Sequence, residues 1–254
     1  MNKMFLSAAA VFAAIAAHAV TATIKTAADT MTGDVKWQNG SKTYALAKGT
    51  IVREYALKDV VKIDVPRPQT LDRAAEMVKR GQASMAIQTL TGLMHDYRML
   101  TWDRTACRYL VEAYLKTGNP QKAYDTANVI VNDDKTAAWT GEVAPFFWQA
   151  LLKLGKKNAL EACLDKAASS GSRPASAHAL VMRGDMIIDS EGETAESCRK
   201  ALIDAYLRVA LMYTDAECSE ARHDALEKGA GCLDKIGLPQ KAAEFRKKAS
   251  QISR

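Results

Sequence analysis

The side chains able to do chemistry are few in this chain and poorly grouped for it. Ser197, Cys198, Arg199 and Lys200 form a Ser-x-x-Lys tetrapeptide, the spacing at which a lysine amine takes the proton of a serine hydroxyl in some acyl-transfer enzymes. No companion motif accompanies it, and Ser197 falls where a repeated unit of the chain needs a small packing residue, so the structural reading is preferred. His95, His178 and His223 have no cysteine or second histidine at a ligand spacing, and no metal or cofactor is expected. His178 and His223 each open a helix and read as capping or surface residues. Asp133 and Asp134 read as the solvated end of a helix. A phosphate-binding glycine loop and a Gly-x-Ser-x-Gly elbow are both absent from the sequence. Asn39-Gly40-Ser41 fits a glycosylation sequon, but a tight turn accounts for it. No catalytic residue is assigned, and the chain reads as a non-enzyme.

Cys107, Cys163, Cys198, Cys218 and Cys232 are five thiols, so at least one stays unpaired within the chain. The sequence does not choose among the two-bond patterns. Cys163 and Cys198 stand at similar places on successive helices, yet cysteine as a small buried apolar residue is the preferred reading.

The elements that carry these residues are set by glycine. Gly81, Gly118, Gly155 and Gly192 stand 37 residues apart each time, and Gly237 follows 45 residues after the last. A period in this range marks stacked helical hairpins. Each glycine suits the turn between two helices, and the longer last interval implies an insertion or a longer second helix. Four residues before each glycine the side chain is bulky and apolar: Met77, Tyr114, Leu151, Ile188 and Leu233. Five residues after it stand Ala86, Ala123, Leu160, Ser197 and Ala242, mostly small, where paired helices approach closely.

The units resemble tetratricopeptide repeats. In the best copy, Tyr114, Gly118, Ala123 and Ala127 occupy the family's aromatic, glycine and small-residue places, while Cys107 replaces its early tryptophan. The resemblance runs over residues 67–250, at a period longer than the family's usual ~34 residues. It implies a mainly α fold, a TPR-like α-solenoid of about five helical hairpins preceded by a small N-terminal β-module. First helices would then line a concave groove that takes a peptide or partner helix. Arg108, Glu112 and Lys116 share one face because residues four apart are helix neighbours. Lys79, Gln149, Lys153, Met182, Arg183 and Met186 occupy the corresponding faces of the other units. This basic, amide and thioether strip suits an acidic or amphipathic peptide. The family's clamp for C-terminal carboxylates needs an asparagine where Glu112 stands, so that activity is not expected.

Residues 1–19 carry Lys3, an apolar run from Met4 to Ala17, and the small-x-small pattern Ala17-His18-Ala19, the signature of a cleaved secretory signal peptide. The run falls short of the ~20 residues that span a bilayer. No cysteine follows the cut, so a lipoprotein is not expected, and no transmembrane segment remains after cleavage. A periplasmic, secreted or outer-envelope location follows. Removing Lys3 lowers the formal net charge from +6 to +5, a dispersed excess that points to no nucleic-acid site.

Residues 20–66 alternate polar and apolar side chains and read as a small β-module of three to five strands, with a type I′ hairpin turn at Asn39-Gly40. Pro66-Arg67-Pro68 closes it and opens the repeat domain, residues 67–254. Edge strands of the module are a candidate self-association surface. Trp37 and Tyr44 are its candidate contacts. The chain thus reads as an exported scaffold that binds a protein or peptide partner in the cell envelope. Its competitor is a glycan or peptidoglycan binder that stacks sugars on Trp37, Tyr44 and Trp102.

Overall fold

The computed structural model describes residues 19–252; the signal-peptide reading lies largely outside them. The described chain is mainly helical with a small N-terminal antiparallel sheet. It divides into two compact units, the first ending at Asn119 and the second beginning at Pro120.

In the first unit, β1 (Val20–Thr26), β2 (Thr30–Gln38), β3 (Thr43–Lys48), β4 (Ile51–Ala56) and β5 (Val60–Asp64) form one sheet in the order β4-β3-β2-β1-β5, every neighbour antiparallel. Period-two alternation sends Ile24, Val35, Trp37, Tyr44, Leu46 and Tyr55 to one face, where they form a buried cluster. The other face carries polar cross-strand pairs such as Thr21–Asp34 (2.9 Å) and Thr23–Thr32 (2.8 Å). The β2–β3 hairpin forms where Asn39-Gly40 predicts one, but with a different turn. Gln38 pairs with Thr43, which leaves a four-residue loop, and its left-handed residue is Lys42 (φ 56°), not Gly40. Lys42 Nζ donates to Asn39 Oδ1 at 2.9 Å and closes that loop.

The helices begin where Pro68 permits, with α1 (Gln69–Lys79), α2 (Ala83–Asp96) and α3 (Trp102–Lys116). Leu71, Ala74, Ala75 and Val78 give α1 an apolar stripe at the helical period. Residues 97–101, between α2 and α3, close the sheet's apolar face. Leu100 is buried in the sheet's own cluster, Tyr44 Oη donates to the Met99 carbonyl at 3.0 Å, and Trp102 Nε1 donates to the Val65 carbonyl at 3.0 Å. A division after residue 66 therefore cuts through a shared core, and the first compact unit runs on to Asn119. The closing turn holds two non-glycine residues at positive φ, Met99 (60°) and Thr101 (76°). Asp103, 4% exposed, anchors it by accepting the Met99 N–H at 2.8 Å and the Arg104 N–H at 2.9 Å.

The second unit contains α4 (Pro120–Asp133), α5 (Ala144–Lys153), α6 (Lys157–Ser169), α7 (Arg173–Glu191), α8 (Ala195–Ala201), α9 (Leu207–Met212), α10 (Ser219–Lys235) and α11 (Pro239–Ser250). A π-helical stretch, Leu202–Tyr206, joins α8 to α9 without a break. The long interval before Gly237 is thus an extended second helix followed by residues 213–218, which end in the 3-10 turn Ala216–Cys218.

Four of the five repeat glycines close a helix in the same way. At Gly81, Gly118, Gly155 and Gly237 the next residue's N–H reaches the carbonyl of Met77, Tyr114, Leu151 or Leu233, and the glycine N–H reaches the carbonyl one residue further on. This 6→1 and 5→2 pair is the Schellman motif, and it needs the left-handed φ of 65–81° that these glycines adopt. Gly192 departs from it: with φ 75° and ψ 167° it leads into an extended Thr194 instead. Thr194 and Ser197 then form a reciprocal capping box, Ser197 N–H to Thr194 Oγ1 at 3.1 Å and Thr194 N–H to Ser197 Oγ at 3.0 Å. Ser197 is fully buried, and Lys200 pairs with Glu191. Ser-x-x-Lys is therefore a helix start. Ala86, Ala123, Leu160 and Ala242 are buried like Ser197, as five-residue spacing from glycine predicts.

Candidate protein-binding surface

The strip predicted on the first helices separates into anchored and exposed groups. On α3, Glu112 meets Lys116 at 2.8 Å, and Lys116 Nζ donates to the Val78 carbonyl at 2.9 Å. That carbonyl lies in the last turn of α1, where a cation satisfies an end group and opposes the helix dipole. Lys116 is thus a tie between α3 and α1. The Arg108 guanidinium lies 5.0 Å from the centre of the Tyr109 ring. Lys79, in the last turn of α1, is exposed.

In the second unit Lys153 is exposed in the last turn of α5, and Gln149, one turn earlier, is half-buried. On α7, Met182 is 3% exposed and belongs to the interior, because its side of the helix faces neighbouring helices. Met186 is half-buried, and Arg183 Nη2 binds Asp165 Oδ1 of α6 at 2.7 Å. Lys79 and Lys153 are therefore the strip's exposed cations without a role in holding helices together among the contacts above.

Two of the three aromatic residues offered for sugar or partner contact are interior, and the third is partly covered. Trp37 and Tyr44, opposite each other across β2 and β3, are 9% and 3% exposed, with ring centres 4.8 Å apart. Burial, reinforced by the Asp103 charge, pushes the Tyr44 phenol up to about 12. Trp102 is half-buried, its indole N–H already bonded and its ring under the Arg67 guanidinium at 4.9 Å. These positions disfavour the glycan reading.

A concave feature that the repeat pattern did not reveal lies within the second unit. A cavity of about 310 Å³ is lined by residues that include Trp139, Glu142, Trp148, His178, Glu217 and Glu220. Trp148 is buried and donates its indole N–H to the Ala138 carbonyl at 2.7 Å, which fixes one wall. Lys166 Nζ lies 4.5 Å from the centre of the Trp139 ring. His178, read as a cap or surface residue, is half-buried in this wall. The cavity's lining runs from Trp139 to Glu220, 81 residues apart, too far for spacing to reveal; the one sequence hint is the long stretch between Asp133 and Ala144, which repeats nowhere else.

No family model matches the sequence, and no curated protein matches it. Among solved structures, MamA AMB-1 is similar at 19% identity, over 73% of this chain and 98% of that one, with a TM-score of 0.39. MamA MSR-1 is similar at 18% identity, over 72% and 94%, with a TM-score of 0.37.

A second group of polar residues gathers around α7, and sequence spacing did not bring it together either. Asp185 accepts the Tyr206 hydroxyl at 2.8 Å and pairs with Lys228 of α10. Burial, then the Asp185 charge, pushes the Tyr206 phenol far above its ordinary range. Tyr206 belongs to the π-helical stretch, and its ring lies over Gly184, where a Cβ would stand 2.5 Å from Cε1. The cluster is packed shut, which suits a structural tie and not a reacting centre.

Proposed function

We propose that the chain is an exported protein-interaction scaffold of the cell envelope, built on a TPR-like α-solenoid plan, which takes a partner protein or peptide on exposed faces of its helical hairpins. The observation that carries this reading is the recurrence of one device: a bulky residue, a Schellman glycine and a buried residue five positions on. Repetition of a hairpin creates surface in proportion to its length, and repeat proteins are used for display. Burial of Trp37 and Tyr44 takes the two β-module aromatics away from sugar stacking, and the Ser-x-x-Lys serine is consumed by a helix cap. Export rests on the sequence of residues 1–19. Among the described residues, no helix is long and apolar enough to cross a membrane.

The test is a crosslinked pull-down from envelope extract with residues 20–254, beside a folded Lys79→Glu, Lys153→Glu variant. A partner captured by the native chain and lost by the variant supports a role for these helix faces. Capture of wall glycan alone, or equal capture by both chains, overturns that assignment.

A further inference from the structure

We propose that the cavity of the second unit is a recognition pocket for an arginine side chain presented by the partner peptide. This rests on the peptide-binding reading above and adds to it the chemistry of one anchor. The cavity holds about 310 Å³. Ligand pockets run from about 300 to 1,000 Å³, so this one admits a single long side chain and not a large cofactor.

The lining selects for a cation. Glu142, Glu217 and Glu220 bring three carboxylates, His178 brings one imidazole, and no lysine or arginine lines the cavity among the described residues. The lining is therefore net negative whether or not His178 carries a second proton. The acids come from separate stretches: Glu142 shortly before α5, Glu217 in the turn Ala216–Cys218, and Glu220 in the first turn of α10. A carboxylate has about four acceptor sites, so the bonds it already makes do not fill it. Two cations stand nearby without entering the lining. Arg173 is held by Asp215 at 2.7 Å, and Lys166 Nζ lies over the Trp139 ring.

The spread of the acids separates one cation from another. Among the described residues no three His, Cys, Asp or Glu groups come together closely enough to hold a metal ion, so these carboxylates suit a charge wider than a point ion. A quaternary ammonium has no N–H to give them. A guanidinium is planar, donates five N–H groups, pairs with carboxylates through parallel bonds and stacks on aromatic rings. The cavity supplies both surfaces, since Trp139 and Trp148 line it together with the acids. Trp148 already uses its indole N–H on the Ala138 carbonyl, so it offers a ligand ring carbon and no donor.

The surroundings favour a peptide as the source of the arginine. Arg173, between the lining residues Ser172 and Pro174, donates to the Met212 carbonyl at 3.1 Å. Leu211 and Met212, 68% and 65% exposed, therefore stand within about one side chain's reach of the lining. Apolar surface there can cover an apolar residue next to the arginine in a peptide; free arginine has none to bury.

The experiment titrates the isotope-labelled chain, residues 20–254, with the blocked peptide acetyl-Ala-Arg-Leu-Leu-Ala-amide and follows the four tryptophan indole N–H signals by NMR. The Trp139 and Trp148 signals are expected to shift, and those of Trp37 and Trp102, in the first unit, to stay. The same peptide with citrulline for arginine keeps the shape and loses the charge. It should bind at least about tenfold more weakly, as should the arginine peptide to a folded Glu217→Gln, Glu220→Gln variant. Acetyl-arginine amide, which lacks the leucines, should bind several times more weakly than the peptide. Silence at Trp139 and Trp148, or equal affinity for the citrulline peptide, overturns the proposal, and equal affinity for acetyl-arginine amide overturns the peptide source. The citrulline contrast uses the native chain, so it decides even where the variant does not fold. Capture through Lys79 and Lys153 is read separately: its failure with the contrast intact counts against the scaffold reading, and a lost contrast with capture intact counts against the pocket.

Discussion

Asp103 shows how one side chain sets a turn. Its carboxylate accepts two backbone N–H groups beside two left-handed residues, with Arg98 3.7 Å away. Asp103→Ala strips the acceptor from both amides and is expected to cost about 2 kcal/mol in urea unfolding. Burial outweighs those hydrogen bonds and the nearby arginines, and raises the Asp103 carboxyl above its ordinary 3.8. A group whose folded value is raised binds its proton more tightly in the native state. Its contribution to stability is fully present below the unfolded value and is lost as pH rises through the folded one. Thermal midpoints of native protein relative to Asp103→Asn should therefore decline as pH increases from about 3.8. A difference that grows with pH would contradict this. The sequence did not reveal Asp103, because its role depends on the Met99 turn that it makes.

At the scale of elements, the helix ends were readable and their exceptions were not. Bulky residues four positions before Gly81, Gly118, Gly155 and Gly237 turn out to carry the carbonyls that the closing turns use. Gly192 had the same neighbours in sequence, but the Thr194–Ser197 capping box captured the chain instead. Turn type at Asn39-Gly40 failed for a related reason: local preference permits several loops, and the pairing of Gln38 with Thr43 chose among them. Two alanine substitutions separate close approach from ordinary helix preference. Gly184→Ala drives a Cβ into the Tyr206 ring and should cost about 2 kcal/mol, with loss of the Tyr206–Asp185 bond. Gly92→Ala, in α2 with open space around its Cβ, should instead stabilise by roughly 0.5–1 kcal/mol. At Gly118, where φ is 73°, alanine is expected to cost about 1 kcal/mol. Urea midpoints of these three variants check all three signs.

For the molecule as a whole, helical hairpins preceded by a sheet were legible because both periods are written locally in the chain. The extent of the first compact unit was not, since Leu100 completes the sheet's core from 35 residues beyond Val65. A fragment ending at Asn119 is therefore expected to unfold in one cooperative transition, and a fragment ending at Pro66 to show none. The proposed strip was legible only as a face. Which of its members hold helices together, as Lys116 does, required the Val78 carbonyl to be located. The most direct test of the scaffold reading remains the crosslinked capture by residues 20–254 and by the Lys79→Glu, Lys153→Glu variant. One partner protein is expected, held by the native chain and released by the folded variant. Failure of the native chain to capture any protein from envelope extract would contradict it.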